Sequence, residues 1–298
     1  MASQSRIGKI VVGTDFSDEA TAALNAGFAW ASRLGAELVL VNVLEEAIAG
    51  DDLTRERDAS ARRAMEQLAA DIAGRGVPTT WFVVEGRPDT RLAEISDELG
   101  ADLLVLGTHG RTGFRRLLLG SSAERTVRLA RSGVMVARPG ANERAAVERI
   151  LVPTDFSEQA NAGMELALQL APEQAVIRLL HCWQEPALVG AEFAGGQTPA
   201  PLGEQQREAV LREGARLVQR YHTPGIDLGF LHRQQSATQG ILTELEDEPY
   251  DLVVMASHGR TGVRRWLLGS VAEYTVRHAP CSVAVAPKPV ESPSRDVW

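Results

Sequence analysis

Lysine is almost missing: Lys9 and Lys288 are the only two among 31 basic residues. Chemistries that need a lysine in the site, such as Schiff-base formation or the phosphate-steadying lysine of P-loop NTPases, have little to draw on. No G-x-x-x-x-G-K-S/T occurs, which excludes a P-loop, and no G-x-G-x-x-G follows the first apolar run, which argues against a dinucleotide fold. Cysteine is equally scarce. Cys182 and Cys281 form no C-x-x-C or zinc-ligand spacing, and two lone thiols suit a reducing compartment. Long apolar runs are absent too; Ala36–Val43 is short and is interrupted by Glu37 and Asn42, so no span is expected. Met1–Ile10 carries Arg6 and Lys9 and no apolar h-region, so the expected location is cytoplasmic. The formal net charge of −8 lacks the basic excess of a general nucleic-acid binder.

What is present is ordinary for a globular chain of 298 residues, with 44% hydrophobic and 23% charged residues. That length suits one large domain or two of common size. An internal repeat decides for two. IVVGTDFSDEA at Ile10–Ala20 returns as ILVPTDFSEQA at Ile150–Ala160, and the 29 residues Asp102–Ala130 return at Asp251–Ala279 with 20 identities and no gap. The offset grows from 140 to 149 residues, which places an insertion in the Gly/Pro-rich stretch Glu185–Gly203. Domains at 1–140 and 141–298 follow, with Arg138–Val147 as linker and a loose tail from about residue 287.

Within each copy, short β-branched or apolar runs alternate with helical patterns. In the first copy, strands are predicted at Lys9–Val12, Glu37–Leu44, Thr79–Val84, Asp102–Leu106 and Gly133–Ala137. Helices are predicted at Ser17–Leu34, Thr54–Ala73, Asp89–Leu99 and Ser122–Ala130. The second copy repeats the strands at Arg149–Val152, Val176–His181, Asp227–Arg233, Asp251–Met255 and Ser282–Ala286. Continuous apolar strands with intervening helices predict an α/β fold, a doubly wound parallel sheet in each copy.

The segment richest in chemistry follows the fourth strand: Gly107-Thr108-His109-Gly110, nine residues, then Gly120-Ser121. Glycines let backbone N–H groups approach a ligand, and the next helix offers free N–H donors and partial positive charge. Ser121-x-x-Glu124 fits a capping box, and Arg111, Arg115 and Arg116 add positive charge. The set suits a polyphosphate. Asp15 lies beyond the first strand, where a doubly wound sheet binds ligands. Its two open roles are accepting hydrogen bonds from a ribose or base, or shaping the turn before a Ser17 cap. Asp155 stands in the same Thr-Asp-Phe-Ser setting. His109 and His258 read better as turn residues or ligand contacts than as bases. His181 beside Cys182 reads as core.

At these residues the chain resembles the universal stress protein family over nearly its whole length, as two tandem domains. Gly107, Gly110, Gly120 and Ser121 match the family's ATP signature, Gly-x2-Gly-x9-Gly-Ser/Thr. The resemblance implies a Rossmann-like five-stranded sheet of order 3-2-1-4-5, of the adenine nucleotide alpha hydrolase-like type. It implies adenine contacts from Thr14, Asp15 and Val43, phosphates held by Gly110, Arg111, Gly120, Ser121 and Ser122, and Gly107 and Thr108 as further nucleotide-binding positions. Carried to the second copy, the positions are Thr154, Asp155, Cys182, Ser257, Gly259, Arg260, Gly269, Ser270 and Val271. There Ala256 replaces the first glycine, Gln235 replaces Gly86 and Val271 replaces Ser122, so tighter binding by the first copy is expected. The implied cofactor is ATP, or ADP or AMP, with Mg²⁺ accompanying the triphosphate and no dedicated metal site. Family members pair through their last strands, so Gly133–Ala137 and Cys281–Ala286 are expected to pair within one chain, with a homodimer also open.

Three functions remain at this point: an ATP-dependent stress-response regulatory protein read by a protein partner, a slow ATPase or autophosphorylating phosphotransferase, and a nucleotide-free scaffold. The second needs a base or water-positioning residue near the terminal phosphate, and none stands out.

Overall fold

The computed structural model describes residues 7–45, 52–108, 120–139, 147–184, 202–259 and 268–287. In chain order the first half runs β1 (Lys9–Gly13), α1 (Asp18–Leu34), β2 (Glu37–Leu44), α2 (Asp52–Gly74), β3 (Thr79–Glu85), α3 (Pro88–Glu98), β4 (Leu103–Gly107), α4 (Ser121–Leu129) and β5 (Gly133–Ala137). The second half runs β6 (Arg149–Pro153), α5 (Asn161–Leu170), β7 (Val176–Cys182), α6 (Leu202–Arg220), β8 (Asp227–Arg233), α7 (Ala237–Asp247), β9 (Leu252–Met255), α8 (Ser270–His278) and β10 (Ser282–Val285). Every predicted element lies within two residues of these bounds. The Glu185–Gly203 insertion, the arginine flap, most of the linker and the tail fall largely or wholly outside the described residues.

Each half is parallel and has the order 3-2-1-4-5, and the halves join into one ten-stranded sheet, β3-β2-β1-β4-β5-β10-β9-β6-β7-β8. The joint is antiparallel: Val136, Met135 and Val134 of β5 face Val283, Ala284 and Val285 of β10. Both strands are buried throughout, as apolar edges require when each covers the other.

Period-two alternation sends strand side chains into two separate layers. Ile10, Val12, Leu103, Val105, Met135 and Ala284 pack on the face covered by α1, α2, α5 and α6. Val11, Leu104, Val136 and Val283 pack on the face covered by α3, α4, α7 and α8. Both layers run unbroken across the joint. Each fully buried Leu, Ile or Val contributes on the order of 1.5–3 kcal/mol, so the joint is core rather than contact surface. Polar bridges close it on both faces. On one, Arg33 of α1 donates to the Leu170 carbonyl at the end of α5, and burial lowers the Arg33 pKa to about 10. On the other, Arg128 pairs with Glu124 at 2.7 Å and Glu273 at 2.8 Å, while Arg277 pairs with Glu124 at 2.6 Å and Glu273 at 3.1 Å.

Candidate functional site

Helix α1, after β1, covers one face and leads to β2, whereas α4, after β4, covers the other and leads to β5. Adjacent strands whose chains leave in opposite directions open a crevice at their carboxyl ends. The two signature segments meet there.

The β1 exit is a tight polar turn. Thr14 is buried, its N–H bonds Val41 O at 2.9 Å, and Asn42 Nδ2 donates to its carbonyl at 2.8 Å. Thr14 Oγ1 accepts from Phe16 N at 3.1 Å, and Asp15 Oδ1 accepts from Ser17 N at 3.0 Å and Ser17 Oγ at 2.6 Å. Ser17 then caps α1 through Ala20 N. Asp15 therefore does shape the turn before the cap. These bonds hold Phe16 at φ 62°, in the left-handed region that costs a non-glycine residue on the order of 1 kcal/mol or more.

The second half rebuilds this turn bond for bond. Asp155 Oδ1 accepts from Ser157 N at 3.0 Å and Oγ at 2.5 Å, Thr154 Oγ1 accepts from Phe156 N at 3.1 Å, and Phe156 sits at φ 63°. His181 takes the place of Asn42, with Nδ1 2.8 Å from the Thr154 carbonyl, and its ring stacks on Phe156 at 4.2 Å. His181 thus has a definite task at the crevice as well as its place in the core.

Across the crevice, β4 ends at Gly107, and Thr108 is buried. Gly120 N donates to Thr108 O at 2.8 Å, which brings the start of α4 back to the strand it left. Gly269 N donates to Ser257 O at 2.8 Å in the same way. The capping box expected at Ser121 does not form. Gly120, not Ser121, is the N-cap of α4, with φ −64° and no side-chain cap bond, and Ser121 is the first helical residue. Glu124 is drawn off to Arg128 and Arg277, so it does not reach back to the cap. The first amide groups of α4 consequently have neither an intrahelical partner nor a side-chain cap. Ser121 and Ser122 stand exposed beside them.

The second copy explains one signature glycine directly. A Cβ at Gly259 would lie 2.4 Å from Asp155 Oδ2, so the glycine lets the loop close on the carboxylate. Neither Gly259 nor Ala256 has positive φ, so close approach rather than backbone freedom sets the residue choice. Gly163 lets α5 approach the backbone at the end of β9, since a Cβ there would meet Ala256 N at 2.9 Å; the positions matching Ala256 and Gly163 in the first half are Gly107 and Ala23. Val271 packs against the core where Ser122 is exposed. Val43 and Cys182 border the same layer at the ends of β2 and β7, and burial pushes the Cys182 thiol up to about 11. Ser270 begins α8, and Ser257 is buried. Gly110, Arg111, His109 and Arg260 lie outside the described residues.

One cluster went unnoticed in the sequence. Asp89, in the first turn of α3, is only 4% exposed. Arg125 Nε lies 3.0 Å and Arg87 Nη2 3.2 Å from its Oδ2, and Thr90 N donates to Oδ1 at 2.9 Å. Burial alone would raise the carboxyl pKa, but the Arg87 hydrogen bond and the two guanidinium charges outweigh it and hold the pKa below its ordinary value. The available signal was Arg87-Pro88-Asp89 directly after the third strand, set against Ser236-Ala237-Thr238 in the second copy. Among the described residues, no group of three or more His, Cys, Asp or Glu side chains is placed to hold a metal ion.

A doubly wound sheet, a switch-point crevice and a glycine-bearing loop define an α/β protein of the Rossmann-like class. The universal stress protein family profile matches residues 6–138 and 146–287, and the chain belongs to that family as two repeats. Universal stress protein Rv2005c of Mycobacterium tuberculosis is 28% identical over 300 residues, covering 93% of this chain and 96% of the relative. Universal stress protein MJ0577 of Methanocaldococcus jannaschii is 25% identical over 152 residues, covering 44% of this chain and 94% of the relative. The crystal structure of a universal stress protein from Archaeoglobus fulgidus superposes with a TM-score of 0.69 at 18% identity, covering 96% of this chain and all of that one, and so shares its fold.

Proposed function

We propose that the chain is an adenine-nucleotide-binding regulatory protein of the stress response, with ATP held in the first crevice and Mg²⁺ accompanying its phosphates. Its two units fall at about 1–140 and 141–298, and the second binds more weakly. The carrying observation is the Thr108–Gly120 bond, which sets the uncapped start of α4 across the crevice from the Thr14–Asp15 turn. Amide donors at a helix N-terminus favour phosphate oxygens. A carboxylate repels them and suits ribose or base donors, so Asp15 marks the nucleoside end. The absence of a cap side chain at Gly120 fits a helix start that receives an external anion. Bound nucleotide is read as a conformational signal for a protein partner. Two free thiols, Cys182 and Cys281, suit a reducing, cytoplasmic setting, and among the described residues no helix is long and apolar enough to cross a membrane.

The test is the nucleotide content of the purified full-length protein, released by denaturation and identified by mass. An adenine nucleotide near one equivalent per chain, without turnover of added Mg-ATP, is the expected result. Protein that carries none and binds none on titration with Mg-ATP would overturn the reading and leave the fold untouched.

A further inference from the structure

The two crevices differ most at one lip. From that difference we infer that Arg87 and Arg125, mounted on Asp89, form a subsite in the first half for the outermost phosphate of a nucleoside di- or triphosphate. The inference rests on the nucleotide-binding reading above.

The start of α3 lies beside the middle of α4, where Thr126 Oγ1 donates to the Asp89 carbonyl at 3.2 Å. Arg125 stands one turn beyond Ser121, and side chains on a helix lean toward its N-terminus, a direction that favours the uncapped turn. Asp89 grips Arg125 through Nε and Arg87 through Nη2 and, at 3.4 Å, Nε. The two arginine side chains are nevertheless 53% and 69% exposed. One carboxylate facing two guanidiniums leaves local positive charge on a chain whose net charge is −8. Anchored arginines lose less freedom on binding than loose ones, and a guanidinium held by one edge keeps further N–H groups for phosphate oxygens.

Stapling α3 to α4 does not by itself account for the cluster. The second half packs α7 beside α8 with Ser236, Thr238 and Tyr274 at the three positions. Ser236 caps α7, and Tyr274 stacks on His278 at 4.1 Å. Ser236, Thr238 and Tyr274 cannot form the ion pairs that Arg87, Asp89 and Arg125 form in the first half.

Two-site titrations of the full-length protein with ATP and AMP test the subsite in three variants: Arg125→Tyr and Arg87→Ser, which install the second half's residues, and Arg125→Lys, which keeps a charge for Asp89. Each is expected to weaken ATP at the tighter site by about tenfold, the scale of one charge-assisted hydrogen bond, while AMP changes by less than about twofold. Arg125→Lys should be as deficient as Arg125→Tyr, because the ammonium spent on Asp89 presents no second edge. ATP affinity restored by lysine, or equal losses for ATP and AMP, would make the cluster a structural staple and overturn the subsite. An unchanged ATP-to-AMP ratio would overturn it as well. Wild-type protein that binds neither nucleotide defeats the binding reading itself, and the subsite with it.

Discussion

The Thr-Asp-Phe-Ser turn occurs twice with nearly the same backbone and very different company. Phe16 and Phe156 share φ of 62° and 63° and the same hydrogen bonds. Phe16 is 37% exposed at the mouth of the first crevice, whereas Phe156 is stacked between His181 and, at 6.0 Å, Phe230. The backbone of the crevice has been kept in both halves, and the side chains lining its rim have diverged. The hydrogen-bonded skeleton belongs to the fold, and the rim is where one copy can acquire a chemistry the other does not have.

The largest effect that would sharpen this comparison is expected in the helices behind the two strand ends. Gly163→Ala drives a methyl against backbone atoms of Met255 and Ala256 and should destabilise by about 1–3 kcal/mol. Ala23→Gly, the matching exchange in the first half, opens space instead and should cost about 1 kcal/mol, mainly through helix propensity. Urea denaturation of both variants measures the pair; equal losses would mean that the two helices sit at the same depth.

A smaller difference, of opposite sign in the two halves, is expected at the strained phenylalanines. Phe16→Gly relieves the left-handed strain and gives up little packing, so it should be neutral or stabilising by up to about 1 kcal/mol. Phe156→Gly loses the stack and should destabilise by about 1 kcal/mol or more. Destabilisation of the same size in both would show that Phe16 is packed as firmly as its counterpart.

The smallest effect concerns pH. The Asp89 carboxyl is held below its ordinary pKa, so its contribution is present above the unfolded-state pKa, near 4, and is lost as pH falls through the lower folded value. Asp89→Asn should therefore cost about 1 kcal/mol at pH 7 and converge with wild type in acid. Thermal melts of both proteins from pH 7 to pH 2 give the comparison; a gap unchanged across that range would point to packing rather than charge. Thr238, at the same place in the second half, has no charge to titrate.

Most of the fold was legible because it is local or repeated. Strand runs and the Ser17 cap are written in neighbouring residues. The strand order and the β5–β10 joint came from the resemblance, since apolar edges alone name no partner. What escaped depends on residues distant in sequence. Ser121-x-x-Glu124 reads as a cap until Arg277, 153 positions away, claims the glutamate. Asp89 reads as the first turn of a helix until Arg125 folds onto it. Gly259 looks like a phosphate-loop glycine, and only the folded chain shows Asp155 behind it.

The antiparallel joint has a geometric consequence. Reversing strand direction at β5–β10 sends the carboxyl ends of the two halves toward opposite edges of the sheet. From the β1–β4 gap to the β9–β6 gap is a walk of four strand spacings, roughly 20 Å. Over that walk a twist of roughly 20–25° per strand turns the second opening back toward a right angle with the first. A flat partner surface seated on one mouth leaves the other in solution. The two mouths are therefore separate ports that open in different directions from one continuous sheet.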